Sequence, residues 1–144
     1  MIELLKVLFL TFLAMFLASV IHELSHFVVA IITKQRVEEI SFGQKRKLIG
    51  VKIKGIEVNL RTTVIAGYIR FDDNEYRNWV FVAGGIVNII TAILTWILFE
   101  HSLFVTLFTQ ISFVSGVLNL LPFFDGSDGK KVYENFLKRK AVIN

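Results

Sequence analysis

The sequence predicts an α-helical integral membrane protein. Three transmembrane helices are expected, with a small membrane-surface β-hairpin or sheet between the first two and a short amphipathic helix at the C-terminal end. Three observations carry this reading. Hydrophobic residues fill 54% of 144 positions and the mean hydropathy is +0.62, too apolar for an ordinary water-soluble domain. Three apolar runs, at about 4–33, 79–99 and 103–121, have the roughly 20 residues needed to cross a hydrocarbon core about 30 Å thick. Lysine and arginine crowd the segments after the first and third runs and are absent from the turn 100–102 between the second and third. By length, residues 1–144 are expected to form a single membrane-embedded domain.

The first run is long enough to tilt or to extend past the bilayer. A cleaved signal peptide would have a shorter apolar core and a small-residue cleavage site, whereas this stretch continues well past Ala18-Ser19. Between the first two spans, residues 48–60 alternate as strands do, with Val51 and Ile53, then Gly55, then Ile56, Val58 and Leu60. Residues 62–71 add a second β-like run, so the β segment is expected at about 48–71. Its edge could receive an extended substrate strand. Asp72-Asp73-Asn74-Glu75 reads as a solvated acidic turn.

In the second span Gly84, Asn88, Thr91 and Thr95 share one face, the small and polar stripe by which membrane helices approach closely. The third span carries Ser112, Ser115, Gly116 and Asn119 on a comparable face and then meets Pro122, where helical hydrogen bonding must break. Beyond it, over about 128–140, Val132, Phe136 and Leu137 fall to one side and the lysines largely to the other, as in a helix lying at a membrane interface.

The chemistry is concentrated in His22-Glu23-Leu24-Ser25-His26, an H-E-x-x-H sequence inside the first apolar run. Four residues apart on a helix, the two imidazoles stand on one face with Cβ atoms about 5–6 Å apart, close enough to grip one metal ion. Glu23 then lies where it can take a proton from a metal-activated water, the chemistry of a zinc-dependent hydrolase. Each ionisable residue at the centre of a membrane helix costs roughly 2.5–3.5 kcal/mol on insertion scales, so three within five positions point to a task. The alternative is a polar cluster bonded to neighbouring helices in a scaffold or chaperone, which has no need of this spacing. His101 follows Glu100 in a short turn and reads as solvated. With no cysteine in the chain, a metal must be held by histidine and carboxylate. Asp125 and Asp128 both follow the third span, and either could complete a His-His-carboxylate site with water in the fourth position.

The charge asymmetry places the β segment and the C-terminus in the cytoplasm, and the N-terminus and the 100–102 turn outside. Basic residues flanking spans are assigned to anionic lipid rather than nucleic acid. Between seven and eleven residues separate the histidines from Thr33. At 1.5 Å per residue the metal would lie roughly 10–17 Å inside the cytoplasmic end of the first span, and hydrolysis there requires a route for water.

H-E-L-S-H in a first core helix, A-G-Y-I-R at 66–70, A-G-G-I-V-N at 83–88 and N-L-L-P at 119–122 with a nearby D-G together resemble the site-2 protease family, intramembrane zinc metalloproteases. The resemblance covers nearly the whole chain. It implies an endopeptidase cutting membrane-spanning or membrane-associated peptides, with one Zn2+ per chain. It implies His22 and His26 as zinc ligands, Glu23 as general base, the D-G aspartate as third ligand, and Asn88 and Asn119 as residues that position substrate or steady the oxyanion. Asp125 lies six residues after Asn119 and Asp128 nine, and the family's usual spacing falls between them. Asp128 is favoured because Asp128-Gly129-Lys130-Lys131-Val132 resembles the family's D-G-G-R-V and Ser127 suits a helix cap. Gly85 stands where the family often has proline, and neither further helices nor a PDZ-like domain accompany the motifs, so a minimal catalytic core is expected. The implied partners are the bilayer and a membrane-embedded peptide or protein, in a bacterial or archaeal cell membrane, and a homo-oligomer is compatible with the sequence.

Overall fold

The computed structural model describes residues 1–63, 67–71 and 78–143, with the side chains of Arg139 and 141–143 outside the description. The acidic turn Asp72-Asp73-Asn74-Glu75 and Ala66 of A-G-Y-I-R lie outside the described residues. The element order is α1 (Ile2–Ile32), β1 (Val37–Phe42), β2 (Gln44–Ile53), β3 (Ile56–Thr63), β4 (Tyr68–Phe71), α2 (Asn78–Leu98), α3 (Leu103–Leu120) and α4 (Asp128–Ile143). Helices α1, α2 and α3 are long and apolar enough to cross a membrane. Their ends fall within a residue or two of the expected spans.

α1 stops where Lys34 adopts a left-handed conformation at φ 58°. Gln35 N–H donates to Ala30 O at 2.8 Å and Lys34 N–H to Ile31 O at 3.0 Å, the paired bonds of a Schellman cap that turn the chain out of the helix. α3 stops before Pro122, with Leu121 extended at ψ 134°, as the residue before proline prefers.

The β region is larger than the sequence suggested. It begins at Val37, not near residue 48, and forms a four-stranded sheet in the order β2-β3-β1-β4. β1 was missed because Val37-Glu38-Glu39-Ile40-Ser41-Phe42 does not alternate cleanly. It carries a register shift between Val37 and Glu39, and it buries Glu39 and Ser41 alongside Ile40. β2 and β3 form the expected hairpin, turned by Lys54 and Gly55 at φ 50° and 90°, the two positive angles that a two-residue hairpin loop needs. β1 and β3 pair in parallel, and β4 lies antiparallel to β1 at the other edge.

The sheet has two unlike faces. On one, the carboxylate of Glu39, 3% exposed, accepts from Asn59 Nδ2 at 2.7 Å, Tyr68 Oη at 2.9 Å and Arg61 Nη2 at 3.0 Å, and pairs with Arg70 Nη2 at 2.9 Å. Burial acts to raise the Glu39 carboxyl, but these donors outweigh it and hold the group below its ordinary range. On the other face, the pairs Ile49–Leu60, Val51–Val58 and Ile53–Ile56 line up with Ile40 and Ile69. Ile40 is buried, whereas Ile49, Val51 and Ile53 of the edge strand remain exposed.

α2 and α3 meet at glycine. A Cβ on Gly116 would lie 2.7 Å from Gly85 O, and one on Gly85 2.9 Å from Gly116 O, so backbone touches backbone at this crossing. The core beside it is small, with Ala14, Ala18 and Phe108 packed together. The apolar residues around the outside of α1 are exposed, among them Leu8, Phe9, Phe12 and Ile31, as expected of a helix whose solvent is hydrocarbon. α4 also leaves Tyr133, Phe136 and Leu137 exposed on its apolar side.

Candidate metal centre

Three donor atoms converge between α1 and the start of α4. His22 Nε2 and His26 Nε2 each lie 3.0 Å from Asp128 Oδ2 and 3.0 Å from one another. All three residues are buried. α1 supplies the histidines one turn apart, and their rings meet edge to face at 4.6 Å. α2 fixes one of them: His26 Nδ1 lies 2.5 Å from the carbonyl of Val80, so in the neutral ring that nitrogen carries the proton and the Nε2 lone pair faces the triangle. One turn further along α2, Gly84 leaves room for both rings, since a Cβ there would lie 2.6 Å from His22 Nε2 and His26 Nε2.

Asp128 is delivered by a tightly tied junction. Ser127 Oγ donates to Leu121 O at 2.8 Å, binding the start of α4 to the end of α3, and accepts from Lys130 N–H at 3.2 Å as the helix cap. Gly129 passes directly over the Leu120 carbonyl, where a side chain would collide. The other carboxylate oxygen, Oδ1, receives Lys131 Nζ at 2.9 Å. Burial acts to raise the Asp128 carboxyl, but the facing imidazoles and the Lys131 ammonium outweigh it and hold the group far below the usual range. It is an anion at neutral pH.

With His26 Nε2 unprotonated and the Asp128 carboxylate charged, a cation among the three donor atoms would hold them together at this spacing. A tetrahedral ion with bonds of about 2.0–2.1 Å keeps its donors roughly 3.3 Å apart, close to the observed triangle, and histidine-histidine-carboxylate is a donor set of catalytic zinc. The residues therefore fit such an ion.

Glu23 is buried on the same turn of α1, with the backbone of Gly67 pressed against it: a Cβ at Gly67 would lie 2.6 Å from Glu23 Cγ. Beside the triangle opens a cavity of about 330 Å³, lined by Glu23, Gln44, Tyr68, Asn119 and Lys131 among others. The cavity is large enough and polar enough to hold water beside Glu23. Asn119 is thus brought to the site. Asn88 does not line the cavity; it is fully buried one turn beyond Gly84 on α2, with neither amide atom hydrogen-bonded among the described residues. Asp125 lines the rim but points outward, 94% exposed and paired with Lys130. His101 is exposed as expected, with its ring 4.0 Å from that of Trp96.

Sequence reasoning missed three contributors. Gly84 falls on the helix-packing face of its span, and it also makes space for the two imidazoles. Lys131 stands three residues after Asp128 on one helix, a spacing that could have signalled the pair. The Val80 carbonyl has no sequence signal, because any residue would supply it.

Apolar helices long enough to cross a membrane thus gather two histidines and an aspartate beside a buried glutamate. Residues 10–103, about two thirds of the chain, match peptidase family M50, the site-2 protease family, and the chain belongs to that family. The match ends before Asp128, whose place in the triangle rests on geometry. Two clostridial relatives are named as candidate zinc metalloproteases. The chain is 33% identical to one from Clostridium acetobutylicum, over 50% of this chain and 26% of the relative. It is also 33% identical to one from Clostridium perfringens, over 54% and 28%. It therefore spans about a quarter of the length of these curated relatives.

Proposed function

We propose that the chain is an intramembrane zinc endopeptidase that cleaves membrane-spanning or membrane-associated peptides. The convergence of His22 Nε2, His26 Nε2 and Asp128 Oδ2 at 3.0 Å spacing carries this reading. In it, those three residues hold one zinc ion. When bound, the ion supplies Lewis acidity that activates water and polarises a peptide carbonyl. Glu23 accepts the proton of the attacking water and later passes it to the leaving amine. Asn119, on the cavity wall, donates to the developing oxyanion. Asn88, fully buried one turn beyond Gly84 on α2, is the second amide in this reading, positioning substrate or steadying the oxyanion.

Peptide bonds in a helix have occupied carbonyls, so the substrate must unwind before it is cut. The β4 edge borders the cavity through Tyr68 and Ile69 and offers a strand on which an unwound segment can pair. The exposed apolar face of β2, with Lys45, Arg46, Lys52 and Lys54 close by in sequence, supports placement of the sheet at the membrane surface. Residues 1–144 act as one membrane-embedded unit in this reading.

Elemental analysis of purified protein tests the site. About one zinc per chain is expected in the wild type, lost in Asp128→Asn and kept in Asp125→Asn and Glu23→Gln. Single-span peptides in mixed micelles, followed by mass spectrometry, should be cut by the wild type and left intact by Glu23→Gln. Zinc that survives Asp128→Asn, or cleavage by Glu23→Gln at the wild-type rate, would remove the corresponding role.

A further inference from the structure

We propose that Lys131 is a positioning residue for the metal-binding carboxylate. It occupies Asp128 Oδ1 and so commits Oδ2 alone to the two histidines. The inference rests on the zinc-site reading above.

Asp128 is held from two sides. Oδ2 faces both imidazoles at 3.0 Å, while Oδ1 receives Lys131 Nζ at 2.9 Å. The Asp128 side chain is only 6% exposed, so the oxygen turned from the histidines needs a protein donor, and Lys131 is that donor. The ammonium is itself placed. It lies 5.5 Å from the centre of the Phe81 ring, and Phe81 is on α2, next to the residue whose carbonyl fixes His26. Lys131 therefore joins α4 to the α2 turn that orients a ligand. One cation sets the torsion of the carboxylate and keeps its second oxygen occupied.

Two physical effects of this lysine oppose each other, and their signs separate the proposal from its rival. A positive charge close to the centre repels a dication, so a lysine that merely stood nearby would weaken metal binding, and its removal would tighten it. A lysine that orients the carboxylate strengthens binding, and removal of such an outer partner typically lowers affinity about 10–100-fold.

The test measures zinc affinity of the detergent-purified full chain by competition with a chromophoric chelator. Wild type is compared with Lys131→Met, Lys131→Gln and Lys131→Arg, with Asp128→Asn as reference. Lys131 is 45% exposed, so its loss leaves no buried hole, and the glutamine variant repeats the test with a polar side chain. Expected is a fall of about 10–100-fold in Lys131→Met, a smaller fall in Lys131→Gln, and recovery of most of the affinity in Lys131→Arg. Helical circular dichroism of the metal-free protein should match the wild type in all three. Affinity in Lys131→Met equal to or above the wild type, with binding abolished in Asp128→Asn, would overturn the role of Lys131 and leave the zinc site standing. Equal binding by wild type and Asp128→Asn would overturn the site reading and the proposal together.

Discussion

At the scale of single residues, the candidate centre depends as much on atoms that are missing as on the donor atoms that converge there. Gly84 sits on α2 where any Cβ would strike both histidine rings at 2.6 Å, so the expected result of Gly84→Ala is displaced rings. Alanine is about 1 kcal/mol better than glycine inside a helix, so secondary structure should not suffer. Zinc affinity by chelator competition should fall about 10–100-fold, while helical circular dichroism stays at the wild-type level. Gly85→Ala is the control. Its Cβ would press on Leu120 and the Gly116 carbonyl instead, loosening α2 against α3 without touching the imidazoles. A Gly84→Ala protein with unchanged affinity would show that the rings have slack. His22, Glu23 and His26 were legible in the sequence because their chemistry depends on local helical spacing. Gly84 and Lys131 were not fully legible, because their significance arises only where three separate helices meet.

At the scale of elements, the sheet shows why a strand can escape a pattern-based reading. Strand alternation is visible when one face is apolar and the other wet, as in residues 48–60. β1 is buried on both faces, and the face opposite Ile40 is held together by Glu39 with Asn59, Arg61, Tyr68 and Arg70. Such a network is invisible in the sequence because its members come from three strands. It also makes a pH prediction. The Glu39 carboxyl is held below its ordinary value in the folded sheet, so its stabilising contribution is fully present above the unfolded value of about 4.3 and is lost as pH falls through the lower folded value. Amide-exchange protection of β1 and β3, corrected for intrinsic exchange, should therefore decline below about pH 4 in the wild type. Glu39→Gln should start about 2–3 kcal/mol less stable at neutral pH and lose most of this acid dependence. Acid dependence as steep in Glu39→Gln as in the wild type would assign it to other carboxylates.

At the scale of the whole molecule, one orientation of the bundle satisfies charge, apolar surface and water supply together. Among the described residues, the exposed positive side chains other than Lys6 near the N-terminus follow α1 and α3, on the side where the sheet lies and the metal cavity opens, whereas the α2–α3 turn carries no lysine or arginine. Each lysine or arginine near an anionic leaflet gains about 1 kcal/mol, and short positive loops are kept on the cytoplasmic side during insertion, so the inverted arrangement is disfavoured. With the sheet on the cytoplasmic side, as proposed, Ile49, Val51 and Ile53 would meet lipid at the interface and water would reach Glu23 without crossing the bilayer. Because the chain has no cysteine, the arrangement can be read with single introduced thiols. Glu100→Cys in the α2–α3 turn should react with a membrane-impermeant maleimide added to intact cells. Lys54→Cys at the β2–β3 tip should react only after the membrane is opened. The reverse pattern would put the metal centre on the outer side and require its substrates to be approached from there, while labelling of both thiols in intact cells would mean that the bundle has no single orientation.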